Sequence, residues 1–309
     1  MQSFICSIVT LFILNCTHAQ DSIVAPLIID VRQQFKEGQE YHFEITQGMF
    51  DSSKGESGHS NMITDVIMKV TRDKDDNIIC SWNYGRTESL DAEGQATVSP
   101  DEDVLDLYKG LTVEIEVDDF GSFVDLNNYE ACKYHFDVAF ERFLRYYRPD
   151  YSEDQLNEVL VLMEETYSSP VSMISGLLTE IDCYYSMFSS TLNTDSIYTY
   201  IAGNNENYLG VEINTTTTVV VKSIENNVAY IEVEQSVSKE SLEDMKNAIL
   251  SYSSSQESQE MAILENLNVY SVVTYAFDIV ENKIREFYFE KTVTENGKSK
   301  VKSRHLRDI

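Results

Sequence analysis

Polar and apolar positions follow two different periods along this chain. Tyr41, Phe43 and Ile45 alternate with His42, Glu44 and Thr46, the two-residue period of a strand with one buried face. Apolar runs at Asp65–Thr71 and Ile78–Tyr84 flank the polar cluster Arg72–Asn77, which predicts a hairpin. A second hairpin is expected from Leu111–Val117 and Ser122–Leu126. Asp118, Asp119, Phe120 and Gly121 supply its turn, and Gly121 is suited to a positive φ.

From Tyr129 the period changes to steps of three and four. Cys132, Phe136, Phe140, Phe143 and Tyr147 fall on one face of a predicted helix that Pro149 ends. Ser152 and Gln155 form a capping box for a second helix, with Leu156, Val159, Leu160, Met163 and Tyr167 as its stripe. Ser169 and Pro170 open a third, carrying Ile174, Leu177, Leu178, Ile181 and Tyr185.

Strand patterns then return. Val211–Lys222 and Val228–Val237 flank Asn226 and Asn227, and a helix carrying Leu242, Met245, Ile249 and Tyr252 follows. A polar linker is expected over Ser251–Glu260. Three last strands are expected at Val269–Ile279, Lys283–Val293 and Lys298–Leu306, with Asn296 and Gly297 at the final turn.

The two β regions look alike. VIMKVTRDKDDNIICSWNY from Val66 is strand, polar turn and strand, and so is TVVVKSIENNVAYIEVE from Thr218. Each is followed by an insert and a second hairpin, LTVEIEVDDFGSFVDL in one and VVTYAFDIVENKIREFYF in the other. The expected fold class is therefore α+β. It comprises two related antiparallel β-rich halves forming a curved sheet or half-barrel, with a helical insert of about three helices. The expected divisions are a signal peptide over 1–19, an N-terminal β-rich half over 20–127, the helical insert over 128–190 and a C-terminal β-rich half with one helix over 191–309.

The signal peptide is read from Phe4–Leu14, FICSIVTLFIL, followed by Thr17, His18 and Ala19 as a small-x-small cleavage site. The run is too short to span a bilayer, and no later segment is long and apolar enough. Export to the periplasm or the extracellular space is expected, with lipid anchoring at Cys16 as the alternative. Residues 1–19 carry no charge, so the whole formal charge of −29 falls on the mature chain. Such a surface repels nucleic acid and anionic lipid. Cys80, Cys132 and Cys183 lie in apolar contexts and read as small buried hydrophobes, with one disulfide as the alternative.

The unit Val113–Tyr129, VEIEVDDFGSFVDLNNY, leads from a strand through an Asp/Gly turn to a strand and then a helix. This order of hairpins around a helical insert resembles a group of uncharacterised exported bacterial β-rich proteins of unknown function. The architecture also resembles the half-barrel of periplasmic lipoprotein carriers, in which helices cover the concave face of an antiparallel sheet. That resemblance, over residues 35–306, implies a hydrophobic ligand and transfers no binding residue by position.

Catalytic chemistry is not legible. His42, His59, His135 and His305 fall in no metal or triad spacing. Asp73, Asp75 and Asn77 alternate like early calcium ligands, but the loop lacks its central Gly and has Tyr84 where a Glu is required. No cofactor or metal is expected, and no enzymatic activity. Asn214–Thr216 is a glycosylation sequon in a eukaryotic context. Eight aromatics crowd Tyr129–Tyr151. Tyr134, Tyr146 and Tyr151 fall off the helix stripe and are the candidate ligand-binding residues, as the wall of a cleft. The expected function is an exported, non-enzymatic binding or carrier-like protein for an apolar small molecule or a peptide segment. A structural or assembly protein of the envelope or secretome is the alternative.

Overall fold

The computed structural model describes residues 27–90, 96–97, 106–165, 167–204, 213–252, 268–295 and 297–309. The signal segment and Cys16 lie outside the described residues, as do 253–260 of the expected linker. Chain order begins with strands β1 (Ile28–Val31), β2 (Glu40–Asp51), β3 (His59–Arg72), β4 (Ile78–Leu90), β5 (Ala96–Thr97), β6 (Thr112–Val117) and β7 (Phe123–Leu126). Helices α1 (Tyr129–Tyr147), α2 (Glu153–Glu165), α3 (Pro170–Gly176) and α4 (Thr179–Ser186) follow. The remainder is β8 (Ser190–Asn193), β9 (Ile197–Asn204), β10 (Ile213–Glu225), β11 (Val228–Val237), α5 (Lys239–Tyr252), β12 (Asn268–Asp278), β13 (Lys283–Glu295) and β14 (Lys298–Asp308).

The fold is α+β. One open 12-stranded antiparallel sheet runs β7-β6-β4-β3-β2-β14-β13-β12-β11-β10-β9, with β5 beside β4. Two up-and-down meanders meet where β2 pairs with β14, and β1 pairs separately with β8. The hairpins form where the turn chemistry predicts. Asp73 accepts from the backbone N–H groups of Asp75 and Asn77 at 2.8 and 2.9 Å, so this acidic cluster is a hairpin turn. Asn226 and Asn227 take φ of 51° and 66°, and Gly297 takes 73°.

Register fixes which residues share a face. Val221, Ile231, Tyr275, Phe287, Leu306, Ile45 and Thr64 oppose one another in a row across seven strands. All seven are buried. The next row is Val219, Val233, Val273, Phe289, Arg304 and Gln47, also buried. The row beyond it is Thr217, Gln235, Ser271, Lys291, Lys302 and Met49. There the cover ends: Gln235 and Lys291 are exposed, and Met49 is 57% exposed.

α4 lies over β13 and β14 on this face. Sheet side chains tether it. Trp82 Nε1 donates to Tyr185 Oη at 2.9 Å, and Tyr275 Oη donates to the Cys183 carbonyl at 2.8 Å. The strand-like segment Ile29–Phe35 reaches the same helix, burying every second residue, and Tyr184 Oη donates to Gln33 at 3.0 Å. The three cysteines are buried free thiols; burial pushes Cys80 and Cys132 up to about 12 and holds Cys183 well above the ordinary thiol value.

Two helical expectations need correction. The third predicted helix is two short ones, because Gly176 closes α3 and Leu178 leaves helical geometry at φ −109°, ψ 45° before α4 begins. The buried stripe of α1 is Cys132, Phe136, Ala139, Phe140 and Leu144. Phe143 is half-buried and Tyr147 is exposed; their rings pack on each other at 4.8 Å. α1 packs against α2 as well as β6, which turns its buried face by one residue toward Leu144. Tyr252 closes α5, as its place on the predicted helix stripe requires, and Ser251, expected to open the linker, lies within the same helix.

Candidate functional site

The feature that sequence periodicity does not anticipate is a polar cluster where α4 meets the Arg304 row. Glu180 stands in the first turn of α4, fully buried. Tyr84 Oη donates to its Oε1 at 2.7 Å. Arg304 Nε lies 3.5 Å from its Oε2, an ion pair closed to solvent. Two groups at such a distance attract through low-dielectric surroundings, but the pair needs further hydrogen bonds to offset desolvation. Those bonds are incomplete. Glu180 Oε2, Arg304 Nε and the neighbouring Gln47 Nε2 are buried without a hydrogen-bond partner among the described residues.

Two tyrosines frame the cluster. Tyr84 and Tyr108 stack at 5.5 Å, and Tyr108 Oη donates to the Leu177 carbonyl at 2.9 Å. Burial first, and then the Glu180 carboxylate, raise both phenols; Tyr108 reaches about 12 and Tyr84 lies well above its ordinary value. Both therefore remain hydrogen-bond donors at neutral pH. Beyond them, the Thr64 and Thr87 hydroxyls meet at 2.9 Å, and Asp106 accepts from the Thr87 N–H at 2.8 Å.

One row outward stand two lysines. Lys302 is half-buried, directly opposite Lys291 on β13 and Met49 on β2. Burial pulls the Lys302 ammonium down to about 8, with Arg304 and Lys291 pushing the same way and Glu180 opposing. The arrangement can bind and orient charge at the edge of an apolar surface. No grouping of three or more His, Cys, Asp or Glu among the described residues could hold a metal ion.

The sequence-derived candidates lie on α1 and in the turn after it, and none is among the partners of Glu180. Tyr134 is 71% exposed on α1, and Tyr146 lies twelve positions along the same helix, a rise of about 18 Å. Tyr151 lies under the Arg148 guanidinium, 3.8 Å from its ring centroid, in the turn between α1 and α2. Tyr134 and Tyr146 are thus well separated along α1, and Tyr151 stands beyond its end. Of the histidines, His42 is exposed, His59 stacks on Phe50, His135 bonds the Leu107 carbonyl and His305 faces Glu286.

The missed signal was faint but present. Strand β14 reads KSKVKSRHLRD, and its alternate positions Lys298, Lys300, Lys302 and Arg304 run toward the buried Leu306. Basic residues on a half-buried strand face mark a departure from simple in–out patterning. No helix among the described residues is long and apolar enough to cross a membrane. No family model matches the chain, and no curated protein matches it.

Proposed function

We propose that this is an exported, non-enzymatic binding module that seats an apolar ligand or partner segment on the helix-bearing face of its sheet. The observation that carries the reading is the gradient across that face. Buried apolar rows lie under α4, and the same face continues past it to the accessible Met49 and Lys291. A surface that is apolar at its base and polar at its rim is the usual form of a ligand site.

In this reading the sheet is a curved half-barrel built from two related halves. The correspondence runs β2-β3-β4-β6-β7 with β9-β10-β11-β12-β13, strand for strand, and both meanders progress in the same direction along the sheet. The insert between β4 and β6 then corresponds to α5 between β11 and β12.

Native mass spectrometry of protein purified from its source tests the proposal. A co-purifying ligand is expected, and Met49→Asp is expected to weaken its retention without unfolding the chain. A ligand-free spectrum, with no apolar molecule bound on addition, overturns it in favour of a structural or assembly role. One observation favours that second reading. β9 is an edge strand among the described residues, with Ile197 and Ile201 at 71% and 75% exposure.

A further inference from the structure

The geometry points to an anion-binding site on Lys291, Lys302 and Arg304, which would fix an oxyanion group, carboxylate or phosphate, at the head of the bound ligand. This narrows the ligand class of the proposed binding face and rests on that reading.

The placement of the lysines carries the argument. Lys291 and Lys302 oppose each other directly across β13 and β14, so their side chains leave the same face. Like charges in that position are destabilising. Arg304 adds a third cation two residues along β14, and Met49 and Ser271 flank the lysines with no charge. Glu180 is the carboxylate that acts on Lys302, and Arg304 already faces it. At Lys302 the cations Arg304 and Lys291 outnumber the carboxylate that opposes them, a local surplus of positive charge.

That surplus stands in a chain with 52 Asp and Glu against 23 Lys and Arg. Carboxylate partners are plentiful elsewhere: Lys69 pairs with Glu40, Lys222 with Glu232 and Lys283 with Asp308. Neither Lys291 nor Lys302 has an ion pair or hydrogen bond among the described residues. Arg304 Nε, on a side chain 6% exposed, also lacks a hydrogen bond. An oxyanion between the lysines relieves their repulsion and gains charge-assisted hydrogen bonds. The half-buried setting of Lys302 strengthens that interaction relative to open solvent. The acidic surface overall predicts exclusion of anionic ligands; this face is its local exception.

Calorimetric titration of the full chain with octanoate, octyl phosphate, 1-octanol and inorganic phosphate separates the elements. Octanoate and octyl phosphate are expected to bind at least about tenfold more tightly than 1-octanol. Lys302→Met and Lys291→Met are expected to lose about tenfold for both anions, with Lys302→Arg restoring most of it. Lys291 is exposed, so its variant keeps the fold and guards against misreading an unfolded protein. If 1-octanol binds as well as octanoate and the lysine variants bind unchanged, the anion site is overturned and the apolar binding face stands. If inorganic phosphate binds through the lysines and octyl phosphate binds no tighter, the anion site stands and the apolar reading fails. If neither octanoate, octyl phosphate nor inorganic phosphate binds, the anion site is overturned.

Discussion

Arg304 Nε and Glu180 Oε2 face each other at 3.5 Å, joining the centre of the sheet to the first turn of α4. Both side chains are closed to solvent, and neither atom makes a hydrogen bond. The pair is thus held together mainly by charge. Its energetic weight lies in the cost of breaking it, since a lone buried charge has no solvent to turn to. Tyr84 completes the other side of the carboxylate, so α4 is fixed to β4 and β14 through one residue.

Glu180→Leu therefore leaves Arg304 buried and unpaired and is expected to cost about 3–5 kcal/mol. The double variant Glu180→Leu with Arg304→Met removes both charges and is expected to recover most of that loss. Urea denaturation of the parent, the two single variants Glu180→Leu and Arg304→Met, and the double variant measures the coupling. If the double variant is no more stable than the sum of its single variants, the two side chains do not act as a pair.

The α1 stripe gives a graded test of packing. Phe136→Ala and Phe140→Ala remove rings that are 0% and 6% exposed and are expected to cost about 3–5 kcal/mol each. Phe143 packs on the exposed Tyr147, so Phe143→Ala is expected to cost less than half as much. Equal losses at all three positions would place Phe143 in the core after all.

How far the sequence announces the structure follows from what each residue must satisfy locally. The Asp73 and Asn226 turns, the Ser169 helix cap and the alternation of Phe43 and Ile45 depend on neighbours within a few positions, and each stands where the pattern places it. β1 was harder to see. Its alternation of buried and exposed residues continues through Gln33, a polar residue whose side-chain oxygen takes a hydrogen bond from Tyr184, 151 positions away. The candidate site has the same character. Glu180 reads as an ordinary acidic residue in a helix first turn, and Arg304 as a strand cation. Their meeting depends on sheet order, which no local period encodes. The aromatic density of α1 was legible, but its use was not: Phe136 and Phe140 fill the core, and Tyr134 faces solvent.

Gly121 combines two demands that another residue cannot meet. Its φ is +88°, and a Cβ there would come within 2.7 Å of the Gln33 carbonyl oxygen. The neighbouring Phe120 carbonyl accepts from the Gln33 N–H at 3.1 Å, so the β6–β7 turn holds the Ile29–Phe35 segment in place. Gly121→Ala is expected to cost more than about 1 kcal/mol. It should also speed amide exchange at Gln33 more than at β6. Unchanged exchange at Gln33 would show that the segment is held by its apolar side chains alone.

The last prediction concerns Lys302 and pH. Its ammonium titrates near 8 in the fold, below the ordinary value of 10.5, because burial disfavours the charged form and Arg304 and Lys291 repel it. Glu180 and Cys183 on α4 act in the opposite direction. Below pH 8 both folded and unfolded chains carry the proton, and the fold bears the full cost of the charge. Between pH 8 and 10.5 the unfolded chain binds more protons than the folded one, so this residue's contribution to stability rises with pH. Lys302→Met removes the charge and is expected to stabilise the protein by about 1–3 kcal/mol at pH 7 in phosphate-free buffer. That advantage should shrink as the pH approaches 10. Urea midpoints for both proteins at pH 7 and pH 9.5 measure it. A variant less stable than the parent at pH 7, or an advantage that stays constant with pH, would mean that Lys302 is better solvated or better paired than its place beside Arg304 implies.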